Sequence, residues 1–178
     1  AVEMGPFFAN WFRGNSSEVH NYFDHARENN LPFAQTLEAL YLLELGEEGK
    51  GREQLDNVVN YADAEENPVL GHFVQGMAWG SFLLGTTQYA ELARRMLPHA
   101  QRSDMYGNTE LVTIPMAEAI IAVVLGDEEL AAQADEKLRE VPQLVSFMQT
   151  TSRVKGLVAR IIGNGEKARR HFQDAIDF

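Results

Sequence analysis

The chain has 178 residues, a length that fits one domain with a buried core, and its 45% apolar and 23% charged residues are typical of a soluble globular protein. Its net charge of −11 disfavours nucleic acid and anionic membrane surfaces as partners, because a protein binds both through clustered Lys and Arg side chains. We interpret the negative charge as maintaining solubility rather than as a surface for basic partners. The absence of cysteine excludes disulfides, thiolate metal sites and cysteine nucleophiles.

The first predicted elements lie on either side of Gly14. Phe7, Phe8 and Trp11 come shortly before this glycine, a pattern that we interpret as the degenerate end of an early repeat. The four residues 15–18, Asn-Ser-Ser-Glu, form a helix N-cap signal. They predict a helix that continues to about residue 28.

The rest of the chain repeats with a period near 39 residues. Four segments end in large apolar residues followed by glycine, and these glycines lie 39, 41 and 37 residues apart. A small residue stands seven positions before each glycine and another five positions after it, and an apolar residue follows at position twelve. The glycines are Gly46, Gly85, Gly126 and Gly163; the three columns are Ala39, Ala78, Ala119 and Gly156, then Gly51, Ala90, Ala131 and Ala168, then Val58, Leu97, Leu138 and Ala175.

These columns have a physical reason. Glycine ends a helix in the left-handed conformation without a Cβ penalty. Small residues on two successive helices allow their backbones to approach closely, so the helices pack as a pair. The period therefore predicts a series of helix pairs.

Prolines and charges mark further helix boundaries. Pro32, Pro68 and Pro142 are expected to open helices, and Pro98 is expected to close one. Residues 110–116 could pass for a strand, but the repeat register places Pro115 in a first helical turn. The uncharged stretch 67–90 is read as a buried helix rather than a membrane span, because its apolar part is too short to cross a bilayer.

The segment 163–176 resembles the second half of a tetratricopeptide repeat. The matching positions are Gly156, Gly163, Ala168, Phe172 and Ala175. The period here exceeds the standard of about 34 residues, which indicates a long-period variant. The resemblance implies an all-α fold, a right-handed superhelical stack of antiparallel helix pairs, with residues 1–178 as a single domain of about four to five pairs.

In this family the first helices of the pairs line a concave groove that binds peptides. The resemblance assigns the groove to His72, Gln75, Trp79, Phe82, Thr113, Met116, Arg153, Leu157 and Arg160, with Ile120, Val123 and Thr150 in the same columns. Arg153 and Arg160 share one helical face and would suit a carboxylate, although both could equally extend into solvent. Trp79 is either an aromatic anchor or a core residue. The family's carboxylate-clamp residues do not map onto these columns, so chaperone-tail recognition is not predicted.

Metal binding and catalysis find little support. His20, Asp24 and Glu28 share a helical face that could hold a divalent metal, but a solvated face is the favoured interpretation. No nucleophile elbow, phosphate-binding loop or zinc-binding helix motif is present in the sequence. We expect no enzyme activity, no catalytic residues, no metal and no cofactor.

The sequence thus predicts a non-catalytic scaffold or adaptor that binds a protein or peptide segment, within a larger assembly or a longer parent chain. The alternative is a small-ligand-sensing regulatory domain; an enzyme on a helical frame is the third hypothesis. We expect no nucleic-acid partner and no membrane insertion, and favour the cytoplasm over the periplasm or export. The last helix is expected to leave Phe172 and Ile176 partly uncovered, which would permit self-association through the C-terminal helix pair.

Overall fold

The computed structural model describes residues 4–29, 34–62, 70–100, 109–146 and 149–178, and the protein is all-α. The helices within these ranges are α1 (Met4–Phe12), α2 (Ser16–Glu28), α3 (Ala34–Glu44), α4 (Glu48–Ala62), α5 (Leu70–Leu84), α6 (Gln88–Ala100), α7 (Ile114–Leu125), α8 (Glu128–Leu138), α9 (Thr151–Ile161) and α10 (Gly165–Asp177). A π-helical turn, Thr109–Thr113, leads into α7. Two short strands, β1 (Val145–Ser146) and β2 (Gln149–Thr150), pair antiparallel before α9.

The glycines of the repeat end helices as the sequence predicts. Gly46, Gly85, Gly126 and Gly163 all have positive φ, between 61° and 79°, and Gly14 has φ 70° after α1. Backbone hydrogen bonds close each of these turns; for example, the Gly126 N–H donates to the carbonyl of Val123. The next helix begins within a few residues of each glycine, so it turns back on the helix before it.

The small residues lie where two helices of a pair approach closely. A Cβ added at Gly51 would lie 2.6 Å from the Leu43 side chain and 3.1 Å from the Ala39 carbonyl oxygen. A Cβ added at Gly156 would lie 2.6 Å from the Phe172 ring. These contacts join α3 to α4 and α9 to α10, so the residues that defined the repeat also set the spacing of the pairs.

The helices pack in chain order. α3 and α4, α5 and α6, α7 and α8, and α9 and α10 pack as pairs, and the first helices of successive pairs, α3, α5, α7 and α9, also pack on one another. One contiguous cluster of buried apolar side chains runs from Phe7 on α1 to Val158 on α9. The core is therefore built along the whole series of pairs.

The boundary predictions had mixed outcomes. Pro115 lies in the first turn of α7, as the repeat register requires, and Pro98 lies inside α6 only two residues before that helix ends. The prediction for Pro142 was wrong: it lies in irregular chain before β1, and α9 begins only at Thr151. A threonine cap replaces it, since the Thr150 Oγ1 accepts from the Arg153 N–H at 3.2 Å. Pro32 and Pro68 lie outside the described residues.

The structure also tests the predictions about a membrane span and about the exposure of the last helix. Within the described ranges, no helix is long and apolar enough to cross a membrane. The part of the uncharged stretch that forms α5 is buried over most of its length. At the last helix, Ile176 is 77% exposed and Phe172 is half-buried, which confirms that both are partly uncovered.

Candidate functional site

Eight of the nine predicted groove residues lie on the first helices of the pairs, a surface that we call the A-helix face (α3, α5, α7 and α9), and Thr113 lies in the π-helical turn before α7. Four of them are buried: Gln75, Trp79, Thr113 and Met116. Three are half-buried, namely His72, Phe82 and Leu157, and both arginines, Arg153 and Arg160, are exposed. A partner can therefore contact α9 and Phe82 directly, whereas the four buried side chains pack beneath that surface.

Trp79 of α5 and Arg153 of α9 meet across the A-helix face. The Arg153 guanidinium carbon lies 5.0 Å from the centroid of the Trp79 ring, within the range of a cation–π interaction. The Trp79 ring also stacks on Phe82, with centroids 4.6 Å apart and an interplanar angle of 16°. The structure thus joins three of the sequence-predicted site residues, although the helix pair α7–α8 lies between the pair α5–α6 and the start of α9 in the chain.

Glu44, the last residue of α3, lies at the centre of the same region. Its carboxylate accepts a hydrogen bond of 2.9 Å from the Trp11 Nε1 of α1. Glu44 is exposed as a residue, but partial burial of its carboxylate beside Trp11 raises its pKa. The Trp11 N–H, the Arg153 charge and the Trp79 N–H each act to lower that pKa. We refer to Trp11, Glu44, Trp79 and Arg153 as the Glu44 cluster.

The Trp79 indole keeps unused hydrogen-bonding capacity. Its Nε1 is buried and has no hydrogen-bond partner of ordinary geometry, although it lies close enough to Glu44 to lower the pKa of that carboxyl group. In the described ranges, the other buried side-chain atoms without a partner are the Gln35 Oε1, the Thr36 Oγ1 and both amide atoms of Gln149. Such atoms cost free energy unless a ligand or water satisfies them.

An aromatic cluster positions Trp11. Its ring lies 4.7 Å from the Tyr41 ring and 5.5 Å from the Phe7 ring, in edge-to-face arrangements in both cases. Phe23 of α2 completes the contact at 6.4 Å. Because these rings come from α1, α2 and α3, the indole N–H is aimed at Glu44 by packing rather than by its own short helix.

Sequence reasoning missed Trp11 and Glu44. Trp11 stands three positions before Gly14, as Phe82 does before Gly85, and this shared column of the degenerate first repeat was the signal that could have assigned it to the site. Glu44 stands two positions before Gly46, where the other repeats have Leu83, Val124 and Ile161. The charge of Glu44 in an otherwise apolar repeat column was the signal that could have marked it as a site residue.

Arg160 lies two turns along α9 from Arg153 and remains apart from the Glu44 cluster. Within the described part of the chain, neither guanidinium forms a salt bridge. Leu157 lies between them on the same helical face and is half-buried. Together they form a short stripe of two cations around an apolar residue.

The metal and acid–base candidates are engaged elsewhere. The His20 Nδ1 lies 2.6 Å from the Ser16 carbonyl oxygen, and Asp24 pairs with Arg27. Among residues the structure describes, no three His, Asp or Glu side chains are grouped to hold a metal ion. Burial lowers the pKa of His72, so this groove residue is neutral at physiological pH.

Comparisons with family models, with curated proteins and with solved structures find no match to this chain. The functional assignment therefore depends on the site itself.

Proposed function

We propose that the protein is a non-catalytic scaffold or adaptor that binds a segment of another protein on its A-helix face. The observation that carries this proposal is the contact of exposed Arg153 with buried Trp79, next to half-buried Phe82. An aromatic platform with a cation and a half-exposed apolar neighbour is the composition that interface centres favour.

The proposed architecture is a tetratricopeptide-like superhelical stack. Its support is the packing of each pair on the next, together with left-handed glycines and small residues at the repeated positions. In such a stack the first helices form the inner surface, which is where the Glu44 cluster and the arginine stripe lie.

Affinity capture from the native source tests the proposed surface. The bait is the wild-type protein, and the test variant is Arg153→Glu/Arg160→Glu, which changes exposed residues only. The matched control is Arg169→Glu/Arg170→Glu, an equal change of charge on exposed residues of α10. We expect a partner that the control retains and the test variant loses; equal retention by both variants would contradict the proposal.

The second candidate function is a small-ligand sensor, and the buried polar atoms favour it. The Gln149 amide and the Thr36 hydroxyl would gain partners if a small polar ligand entered between the helices. A ligand of this kind raises the melting temperature of the wild type. A screen of polar metabolites by thermal shift, repeated with Gln149→Met, tests this function: a rise that the variant loses supports it.

A further inference from the structure

The donors of the Glu44 cluster converge on a single carboxylate. The Trp11 Nε1 donates to it at 2.9 Å, and the Arg153 guanidinium and the Trp79 N–H both act to stabilise its charge. Trp79 Nε1 nevertheless lacks a hydrogen bond of normal geometry, so Glu44 does not saturate this donor set. Two indole N–H groups and a guanidinium offer only donors, and a carboxylate is the protein group that accepts from all of them.

The exposed charges on α9 are opposite in sign to the net charge of the whole chain. Arg153 and Arg160 lie seven residues apart on α9, or about 10.5 Å along the helix axis. Both are exposed and form no salt bridge within the described residues, and the remaining predicted groove residues are uncharged, His72 included. The two cations are therefore available to a ligand on a protein whose net charge is −11.

We infer that the A-helix face binds an acidic segment of a partner protein, and that Glu44 is an internal competitor for its carboxylates. In the free protein Glu44 occupies the Trp11 N–H and attracts Arg153. In the complex one partner carboxylate binds Arg153 and a second binds Arg160. This inference rests on the proposed function, because it names the chemistry of the segment that the same surface takes.

An acidic segment fits better than a basic one for two reasons. A basic segment would meet Arg153 and Arg160 at short range, where like charges repel without full screening. Of the carboxylates on the described A helices, Glu118 is buried, Glu38 pairs with Arg27, and Glu44 already accepts from Trp11. The repulsion that an acidic segment feels from the rest of the chain acts over longer distances, and salt screens it beyond about 8 Å at physiological ionic strength.

The test uses fluorescent peptides of equal length composed of glutamate, glutamine or lysine, titrated with the intact protein by fluorescence polarisation. We expect binding of the glutamate peptide alone. Arg153→Gln should weaken it by about tenfold or more, since a charge-assisted contact is lost. Glu44→Gln should strengthen it by about threefold or more, because the competing charge is removed while Trp11 keeps an acceptor. Arg169→Gln on α10 is the matched control and should leave the affinity unchanged.

Several results would overturn the inference. Weaker binding by Glu44→Gln would mean that Glu44 is a structural support rather than a competitor. Binding of the lysine peptide that Glu44→Gln abolishes would show that the face takes a basic segment. No binding of any peptide, while a captured partner still depends on Arg153 and Arg160, would reject the acidic chemistry and leave the proposed surface standing. Circular dichroism of each variant shows whether the helical fold is retained.

Discussion

At the scale of single residues, small side chains do two different things in this protein. Gly46 and its equivalents provide a left-handed turn, whereas Gly51 and Gly156 provide space between helices. The first role is local and concerns one helix end. The second depends on a neighbouring helix, so its cost on substitution is set by what the new Cβ meets.

Gly51→Ala is expected to lower the free energy of unfolding by about 1–3 kcal/mol, because the Cβ would press on Leu43 and on the Ala39 backbone. Gly49→Ala is the matched control on the same helix, since a Cβ there meets nothing within 4 Å. We expect Gly49→Ala to be neutral or to stabilise by up to about 1 kcal/mol. Urea unfolding of both variants measures the difference, and equal effects would contradict the close approach.

Glu44 should make stability depend on pH in a defined direction. Burial raises its folded-state pKa above the ordinary 4.5, so the folded state holds this proton more tightly than the unfolded state does. Its contribution to the free energy of unfolding is therefore fully present below pH 4.5 and is lost as the pH rises through the raised pKa. Glu44→Gln should consequently gain stability relative to the wild type between acidic and neutral pH.

Urea unfolding of wild type and Glu44→Gln across that pH window measures this dependence. Trp11→Phe is a second test variant, because it removes an N–H that lowers the pKa of Glu44. Its loss raises that pKa further, so the decrease in the free energy of unfolding should extend to higher pH. Wild-type and Glu44→Gln curves that run parallel across the window would show that Glu44 is not perturbed.

At the scale of elements, the repeat predicted helix ends well where a local signal determines them. Gly126 ends α7, and Asp127 then caps α8 by accepting from the Leu130 N–H at 3.0 Å. Pro142 was misread because proline at a first helical turn and proline in an irregular connection have the same local signature. The strand pair β1–β2 lies in that connection, and its four residues are too few to show a periodic pattern in the sequence.

An ion pair joins the last helix, α10, to α8, in addition to the packing of α10 on α9. The Lys167 Nζ lies 2.6 Å from the Asp135 carboxylate, and both side chains are largely buried. Lys167→Met should lower the free energy of unfolding by about 2–4 kcal/mol, because it leaves a buried charge without its partner. The double variant Lys167→Met/Asp135→Asn should recover part of that loss.

A thermal or urea melt of the two variants provides the comparison. The corresponding change at an exposed pair, Arg139→Met beside Glu136, is the control and should cost less than about 1 kcal/mol. A Lys167→Met variant no less stable than the control would show that packing alone holds α10.

At the scale of the whole molecule, charge is divided unevenly along the chain. Residues 1–150 carry 9 basic and 23 acidic side chains, a net −14, whereas residues 151–178 carry 6 basic and 3 acidic ones, a net +3. The stripe on α9 belongs to this positive end. An acidic segment approaching the A-helix face would therefore be oriented toward α9 and away from α2 and α4.

Only some residues of the site could be predicted from the sequence. The tetratricopeptide-like alignment predicted that Trp79, Phe82 and Arg153 share one groove, and the structure brings these three together. The approach of Trp11 to Glu44 depends on how α1 and α2 pack against α3. Side-chain packing sets that geometry, so a single sequence without the fold does not reveal that the two residues meet.

Photo-crosslinking from Leu157 shows whether a partner contacts the A-helix face, because this half-buried residue lies between Arg153 and Arg160. A benzophenone amino acid replaces Leu157 in one variant and exposed Gln133 of α8 in the control, and both are irradiated in extracts of the native source. We expect a discrete crosslinked partner from position 157 that is absent from position 133 and is lost on adding Arg153→Glu. A partner crosslinked from position 133 and not from position 157 would place the binding surface on the second helices and contradict that expectation.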